Sequence, residues 1–595
     1  MFHPVEEAMW ILRINMTDRT SKWEAVPERF RTLYGRALTS KIVAEEVPPL
    51  CHALGPNNKL VFSAGIVTST PAPTSARVSV GCKSPLTGGI KEANAGTSWG
   101  PDLASLRIRA MIVEGLPQDT DKFWGTLIRW DADAKQPVVE FFDASEYTGK
   151  DVYEAYPMIY QRFEGRISIA SIGNAGEYGY GNSGIVFNDQ AKRPSRYAGR
   201  GGVGAVMASK RLKFIVLNAK GAPGVEIADK ALFDEGRKKM IDAIRSHPIS
   251  KPKGGLNTYG TAVLVNILNE AGDLPTRNFS AGRFDGAPKT AGEAIFETNK
   301  ERTGKEVYNH ACSPGCIIQC SNTLFNPDQS ERASCIEYES TWALGANLGV
   351  EDLDDIATMV HLCNAYGLDT IETGVTLGVA MEGGVIPFGD SKGAIQLIHE
   401  MGKGTPTGKM LGGGAEVAGK LLGVRRVPTV KGQAMPAYEP RAVKGIGITY
   451  ATTTMGADHT AGYTICPEIL GVSGKQDPLS PEGKAALSRA FQATTAFIDS
   501  SGHCLFIAFP ILDIASGFEG FIQECNGVLG TNWTADDVVA YGAEVLKVER
   551  AFNEAAGIKA EADRLPEFMH LEPLPPHNQV FDVPDEALDS VFKEM

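Results

Sequence analysis

The chain has 595 residues, 43% hydrophobic and 22% charged, the balance of a packed globular protein of about three domains. A net charge of −13 excludes a general nucleic-acid binder, which needs the opposite sign. No apolar run reaches the ~18 residues of a membrane helix, Met1–Met16 lacks the basic-then-apolar pattern of a secretory leader, and ten cysteines are too few for a disulfide scaffold.

The expectation is an acidic, multidomain cytoplasmic protein. Up to about residue 215 the chain reads as β-rich: Leu60–Ala64, Ala76–Val80, Ile108–Glu114, Val138–Phe142, Ile167–Ile172 and Lys213–Leu217 are short apolar stretches between turn residues. This part closes on a glycine cluster, Gly199–Gly204, followed by an alternating strand-like run. Gly199-x-Gly201-x-x-Gly204 fits a dinucleotide fingerprint, but that motif wants a strand directly before it, and Asn188–Tyr197 is polar and basic. From about Asp229 the period becomes helical over Lys230–Arg245, Gly260–Glu270, Asp352–Tyr366, Thr370–Met381, Lys392–Met401 and Ala415–Leu422. Asp352, Asp354 and Asp355 stand where a helix N-terminus favours acids. Past Val427 come loop-like Pro436–Lys444, helical Pro481–Ile498 and Thr534–Ala556, then a proline-rich tail after Leu565 expected to drape over the surface. The expected fold class is α+β, with a β-rich base domain over 1–219 and two mainly helical domains over 220–426 and 427–595.

Cys312, Cys316 and Cys320 form C-x3-C-x3-C, and Pro314–Gly315 breaks any regular helix between the first two. Three thiolates so placed want a fourth ligand. Cys504, in Asp499-Ser-Ser-Gly-His-Cys504, is the candidate, and His310 could serve instead in a zinc knuckle. The pattern alone does not separate zinc from an iron–sulfur cluster, because the ligand sets are the same.

At this point the chain resembles, over nearly all its length, the catalytic subunit of tungsten-containing aldehyde:ferredoxin oxidoreductases. The stretches that carry the resemblance are Arg77–Gly88 (RVSVGCKSPLTG), Asn94–Gly96, Gly199–Lys210 (GRGGVGAVMASK), Tyr259–Asn269, Glu337–Gly349 (EYESTWALGANLG), Gly367–Gly374, Pro467–Gly471 and Asp499–Phe506. The resemblance implies a β-rich base under two helical domains. At their junction two pyranopterin dithiolenes would hold one tungsten (or molybdenum) atom, beside a [4Fe–4S] cluster on Cys312, Cys316, Cys320 and Cys504. The family spacing is C-x2-C-x3-C, one residue shorter in its first gap. By the same resemblance, Arg77, Asn94, Gly96, Arg196 and Tyr197 surround the first pterin, and Asn94 with the Tyr197 carbonyl would hold a Mg2+ bridging the pterin phosphates. The second pterin matches paired D-x-x-G-L-[D/C] motifs, here Asn364-Ala-Tyr-Gly367-Leu368-Asp369 and Asp499-Ser-Ser-Gly502-His503-Cys504. Asn364 keeps an acceptor oxygen but loses the charge, His503 replaces a leucine, and a family lysine falls at Ala461.

Aldehyde oxidation needs a polarised carbonyl and an acceptor for a proton. The family's glutamate and histidine fall at Glu339, with Glu337 as its rival in register, and at His459. Glu339 would take the proton, and His459 would hydrogen-bond the substrate oxygen. Cys335 stands where the family commonly has glycine; in the related class II benzoyl-CoA reductases a metal-ligating cysteine lies near this place, so Cys335 is a possible tungsten ligand. The implied reaction is aldehyde plus water to carboxylate, with two electrons passing to ferredoxin or a small iron–sulfur subunit in an anaerobe's cytoplasm. The alternatives are a tungsten-dependent aryl acyl-CoA reductase subunit and a non-catalytic electron-transfer subunit. A homo- or hetero-oligomer is compatible with the resemblance. An acidic electron carrier needs a basic patch, for which Arg425, Arg426 and Lys431 are candidates.

Overall fold

Two six-stranded sheets form the N-terminal part of the computed structural model, which describes residues 9–595. The expectation about Met1–Met16 falls in part outside these residues. The first sheet runs, in spatial order, Thr20–Ala25, Trp10–Asn15, Ile108–Glu114, Leu60–Ala64, Arg77–Lys83, Ile90–Gly96. The second runs Arg196–Ala198, Ile185–Phe187, Ser168–Ser171, Leu212–Asn218, Trp124–Asp131, Gln136–Asp143. Each contains one parallel pair, Trp10–Asn15 with Ile108–Glu114 and Leu212–Asn218 with Trp124–Asp131, and is otherwise antiparallel.

One face of each sheet is apolar, and the two faces share a core in which Val78, Val80 and Phe62 meet Ile169, Ile185 and Phe187. Trp99 pins them together: its ring lies 5.1 Å from Phe62 and 5.7 Å from Phe187, and its indole N–H donates to the Ile215 carbonyl. The opposite face of the first sheet packs on the helix Gly35–Glu46 through Leu38, Ile42 and Val43.

The register of the last two strands of that sheet matters most for function. Arg77 pairs with Gly96, Ser79 with Asn94 and Gly81 with Glu92. Alternation therefore puts Arg77, Asn94 and Glu92 on one face, opposite the apolar set. Ile90–Gly96 and Arg196–Ala198 are the outer strands of the two sheets, and they lie against each other.

The remainder is mainly helical, with two short antiparallel hairpins, Thr323–Phe325 with Glu331–Ser334 and Thr429–Val430 with Gln433–Ala434, and most of its apolar side chains from Phe233 to Val591 share one core. Helix Lys230–Ser246 runs antiparallel against Ala515–Leu529, with Gly236 against Gly520 and Phe233 against Gly527. A Cβ at Gly236 would sit 2.7 Å from the Gly520 carbonyl, so only glycine permits this approach. Thr534 caps Ala535–Ala555 through the Asp537 amide, and Asp352 caps Leu353–Tyr366 through the Asp355 amide. No helix among the described residues is long and apolar enough to cross a membrane.

Two expectations are corrected. The run after the glycine cluster begins as a helix, Val203–Ser209, before strand Leu212–Asn218, because Gly202 in the left-handed region turns the chain into a helical start. The tail after Leu565 does not merely drape: Met569, Leu574, Phe581, Leu588 and Val591 are buried in the helical core. Prolines punctuate that tail, but its apolar side chains are spaced to reach inward between them.

Candidate active site

The loop bearing Cys312, Cys316 and Cys320 is pinched at its base, where His310 and Ser321 exchange backbone hydrogen bonds of 2.9 and 3.1 Å. Gly315 takes φ +73°, the conformation the Pro-Gly turn needs. Cys504 arrives from a separate element. Helix Lys484–Ser501 ends at Gly502 (φ +91°), and two residues on Cys504 donates its N–H to the Thr74 carbonyl at 2.9 Å. Thr74 also holds the other loop: its N–H donates to the Gly315 carbonyl at 2.9 Å and its Oγ1 accepts from Ile317 at 3.2 Å. Thr74 does this at φ +56°, a strained setting for a β-branched residue.

The four cysteines are free thiols. A hydrogen bond with Cys316, and then the charges of Arg196 and Arg77, hold the Cys312 thiol well below its ordinary range. Burial, and then the charges of Glu337, Cys312 and Cys504, push Cys320 well above its own. Among the described residues the side chains do not form a ready-made metal cage, but thiols that feel one another's charge beside two guanidiniums suit an anionic thiolate-ligated cluster, which the cations would neutralise. His310, the alternative zinc ligand, has Nε2 3.4 Å from Arg193 Nη1, a cation that disfavours a second cation there.

Arg77 joins Cys504 to the sheet edge. Its Nη2 is 3.2 Å from Cys504 Sγ and its Nη1 donates to Asn94 Oδ1 at 3.2 Å. Beside it, Gly96 leaves a cradle: a Cβ there would stand 3.3 Å from Cys312 Sγ and 3.5 Å from Arg77 Nε. Arg196 Nη1 reaches Ser321 Oγ at 3.2 Å, Cys335 Sγ at 3.3 Å and Glu337 Oε1 at 3.4 Å, while its Nε is buried with no hydrogen-bond partner among the described residues. An orphaned guanidinium N–H beside glycine-lined backbone is the donor chemistry a phosphate- and ring-bearing pterin would satisfy.

The two paired motifs share one local structure. Asn364 lies in the last turn of Leu353–Tyr366, which Gly367 closes at φ +75°; Asp499 lies in the last turn before Gly502. Tyr197 Oη donates to the Asn364 carbonyl at 2.5 Å, and Asn364 Nδ2 donates to the Ser334 carbonyl at 3.2 Å. Leu368 bridges to Ser183, and Asp369 caps helix Thr370–Glu382 through the Ile371 amide. Asp499 meets Arg36 Nη1 at 3.1 Å; burial, and then the negative Glu92, push its carboxyl up to about 7. Both ring nitrogens of His503 are taken, by Ser501 Oγ and Glu524 Oε2, each at 3.0 Å, which leaves its side chain committed to the interior.

Glu339 sits in the first turn of helix Tyr338–Leu344, and His459 opens a short 3-10 turn capped by Asp458. Glu339 Oε2 accepts from the Ala437 amide at 3.0 Å, and its Oε1 faces His459 Nε2 at 3.3 Å. Burial pushes the Glu339 carboxyl up to about 8 and His459 down to about 4. Glu339 Oε1, His459 Nδ1 and Tyr450 Oη are buried without a hydrogen-bond partner among the described residues. Tyr438 and Tyr463 wall the pair, their rings 5.7 and 6.2 Å from His459 and their hydroxyls 2.8 Å apart. A base and a neutral imidazole in a buried box walled by tyrosines can accept a proton and hold a carbonyl oxygen. Glu337, the rival in register, instead faces Arg196 and accepts from Thr261 Oγ1 at 3.1 Å.

Several residues were not legible beforehand. Arg200 ties Asp369 Oδ2 (3.4 Å), the Ala434 carbonyl (2.6 Å) and the Ala457 carbonyl (2.8 Å) together, two residues before His459. Arg200 stands among the glycines of Gly199–Gly204, a setting that by itself reads as backbone chemistry rather than side-chain chemistry. Lys91 stands 3.6 Å from Asp458, and Thr74 had no motif at all. Cys335 takes φ +65° with its thiol on the Arg196–Glu337 side, pushed by burial up to about 12. The candidate basic patch is corrected: Lys431 is buried and paired with Asp563 at 2.8 Å, and Arg426 is held between Glu382 and Glu572.

The family model described as the N-terminal domain of aldehyde ferredoxin oxidoreductase matches residues 11–219, and the model for domains 2 and 3 matches residues 235–595. Tungsten-containing aldehyde ferredoxin oxidoreductases of Pyrococcus horikoshii and Thermococcus kodakarensis are 38% and 36% identical to the chain, covering 95% of it and 92% and 91% of themselves. Among solved structures, the BamBC active-site complex of benzoyl coenzyme A reductase with 1,5-dienoyl-CoA superposes with a TM-score of 0.79, covering 99% of this chain and 94% of that one. At 18% identity that likeness shows the fold alone.

Proposed function

The chain belongs to the aldehyde ferredoxin oxidoreductase family, and from that premise we propose that it oxidises an aldehyde with water to a carboxylate, delivering two electrons to ferredoxin or a small iron–sulfur subunit. The observation that carries this reading is Arg77, which reaches Cys504 on one side and Asn94 on the other and so joins a candidate cluster cysteine to the sheet edge.

Cys312, Cys316, Cys320 and Cys504 would hold the [4Fe–4S] cluster. Asn94, Gly96, Arg196 and Tyr197 would cradle the first pterin, with Asn94 and the Tyr197 carbonyl on Mg2+, and Asn364, Gly367, Leu368, Asp369, Asp499, Gly502 and the His503 backbone would cradle the second. When bound, tungsten (or molybdenum) between two dithiolenes would take up the electron pair and the cluster would pass it outward.

The chain's own part is proton handling and positioning. Neutral His459 donates a hydrogen bond from Nε2 to the aldehyde oxygen, which polarises the carbonyl for attack by water. Ionised Glu339 takes the water proton at Oε1, the oxygen that turns toward His459 and accepts no backbone amide. Arg200 and Asp458, charged neighbours of the pair, fix the field in which that proton moves. Tyr438 and Tyr463 keep bulk water away from the reacting carbon.

Glu339→Gln tests the assignment: aldehyde-dependent dye reduction is expected to fall at least about a thousandfold, toward loss of general-base catalysis plus its hydrogen bond, with iron and tungsten contents unchanged. Retained turnover would refute it. We read Cys335 as a partner of Arg196, which predicts four sulfurs around the heavy metal by X-ray absorption; a fifth would make Cys335 a ligand.

A further inference from the structure

Electrons leaving a cluster on these four cysteines must cross the surface nearest their loop, so this inference rests on the function proposed above. Gly315 and Gln319 are the exposed points of that loop. Gln319 is tied to a neighbouring turn, because Asn257 Nδ2 donates to the carbonyls of Gln319 (3.1 Å) and Asn309 (3.2 Å) while Asn257 Oδ1 accepts from the Lys253 amide (3.0 Å). Lys253 Nζ then lies 5.2 Å over the ring of Tyr308. Tyr308 in turn lines an open groove of about 420 Å³, whose walls include Gln190, Ala191, Arg193, His310 and Ala311, the last directly before Cys312.

The charge of this surface is unlike that of the chain. The protein carries 71 acidic and 58 basic residues, yet segments 190–225, 243–269 and 307–327 contain no Asp or Glu. Lys192, Lys251 and Lys253 are exposed there. The acidic neighbours are Asp189 and Glu331, which pair with Arg193 at 3.0 and 2.8 Å and leave the exposed lysines as the net charge of the rim, and Glu306, which accepts from Tyr308 Oη at 2.9 Å. A cationic rim around the exposed tip of the cysteine loop, on a protein of net charge −13, is the complement an anionic partner needs to overcome general repulsion.

We propose that the groove between residues 190–193 and 307–311, with Lys192 and Lys253 beside it and Lys251 on the same exposed turn as Lys253, is the docking surface for a small acidic iron–sulfur electron carrier. The test uses the anaerobically purified holoenzyme and a small acidic [4Fe–4S] ferredoxin as probe. In the K251E/K253E variant, the Kd for ferredoxin measured by calorimetry and the KM for ferredoxin are both expected to rise at least about tenfold at low ionic strength. Aldehyde-dependent reduction of a small viologen dye and the iron content are expected to stay unchanged. Arg425→Glu, the same charge reversal on an exposed residue elsewhere on the chain, is expected to leave Kd unchanged. An unchanged Kd in K251E/K253E, or an equal loss in Arg425→Glu, would overturn the docking surface. Failure of the unmodified enzyme to reduce viologen with any aldehyde would overturn the oxidoreductase reading instead, and the docking surface with it.

Discussion

Single side chains carry the chemistry by standing between two places at once. Arg77 touches a thiol and an amide that come from different elements, and Thr74 fastens Cys504 to the loop of the other three cysteines. Thr74→Val deletes the acceptor for the Ile317 amide while keeping the shape, so it is expected to lose iron faster under a chelator, with half-life shortened several-fold, and a wild-type half-life would contradict the tether. Glu339 sets the pH dependence. Its carboxyl is pushed up to about 8, and a base must be ionised, so kcat/KM is expected to rise with pH until about 8 and level off above it. The profile measured with a dye acceptor checks this; a rate already flat from pH 6 would contradict it. Glu339 was legible because it lies in a long matching stretch, and His459 because the family's histidine falls on it. Arg200, Lys91 and Thr74 were not, because their partners lie far along the chain and leave no local periodicity.

At the scale of elements, the recurring device is a helix closed by a left-handed glycine. Gly367 and Gly502 end helices three residues after Asn364 and Asp499, so the same local fold offers a polar side chain and exposed backbone twice. This was legible in sequence, since an x-x-Gly stop after an apolar period is a local signal. A Cβ at Gly502 would run into Thr68 Oγ1 and the Gly65 backbone, at a positive φ that side chains avoid. Gly502→Ala is therefore expected to cost roughly 1–3 kcal/mol and to lower iron content by displacing Cys504. Denaturant unfolding with iron analysis reads both effects, and an unchanged iron content would contradict the coupling. The helix Gly35–Glu46 was not legible, because it is buried over most of its first nine residues and so shows no amphipathic stripe.

At the scale of the molecule, the site exists because two sheet edges meet under a helical layer that returns to them late in the chain. Arg36 binds Asp499 and Glu549 across hundreds of residues, and the tail after Leu565 locks the helical layer by burying Phe581 against Gly447. Composition and period gave the order of β-rich and helical parts; how they close on each other depends on such distant pairs. Phe581→Ala is expected to cost about 3–5 kcal/mol, with a lowered Tm. A Tm within a degree of wild type would return the tail to a surface role. The most direct test of the whole account is metal analysis of the anaerobically purified protein. It should contain about four irons and about one tungsten or molybdenum per chain, with the iron lost in Cys504→Ser. Iron without a heavy metal, or a full iron complement in Cys504→Ser, would contradict it.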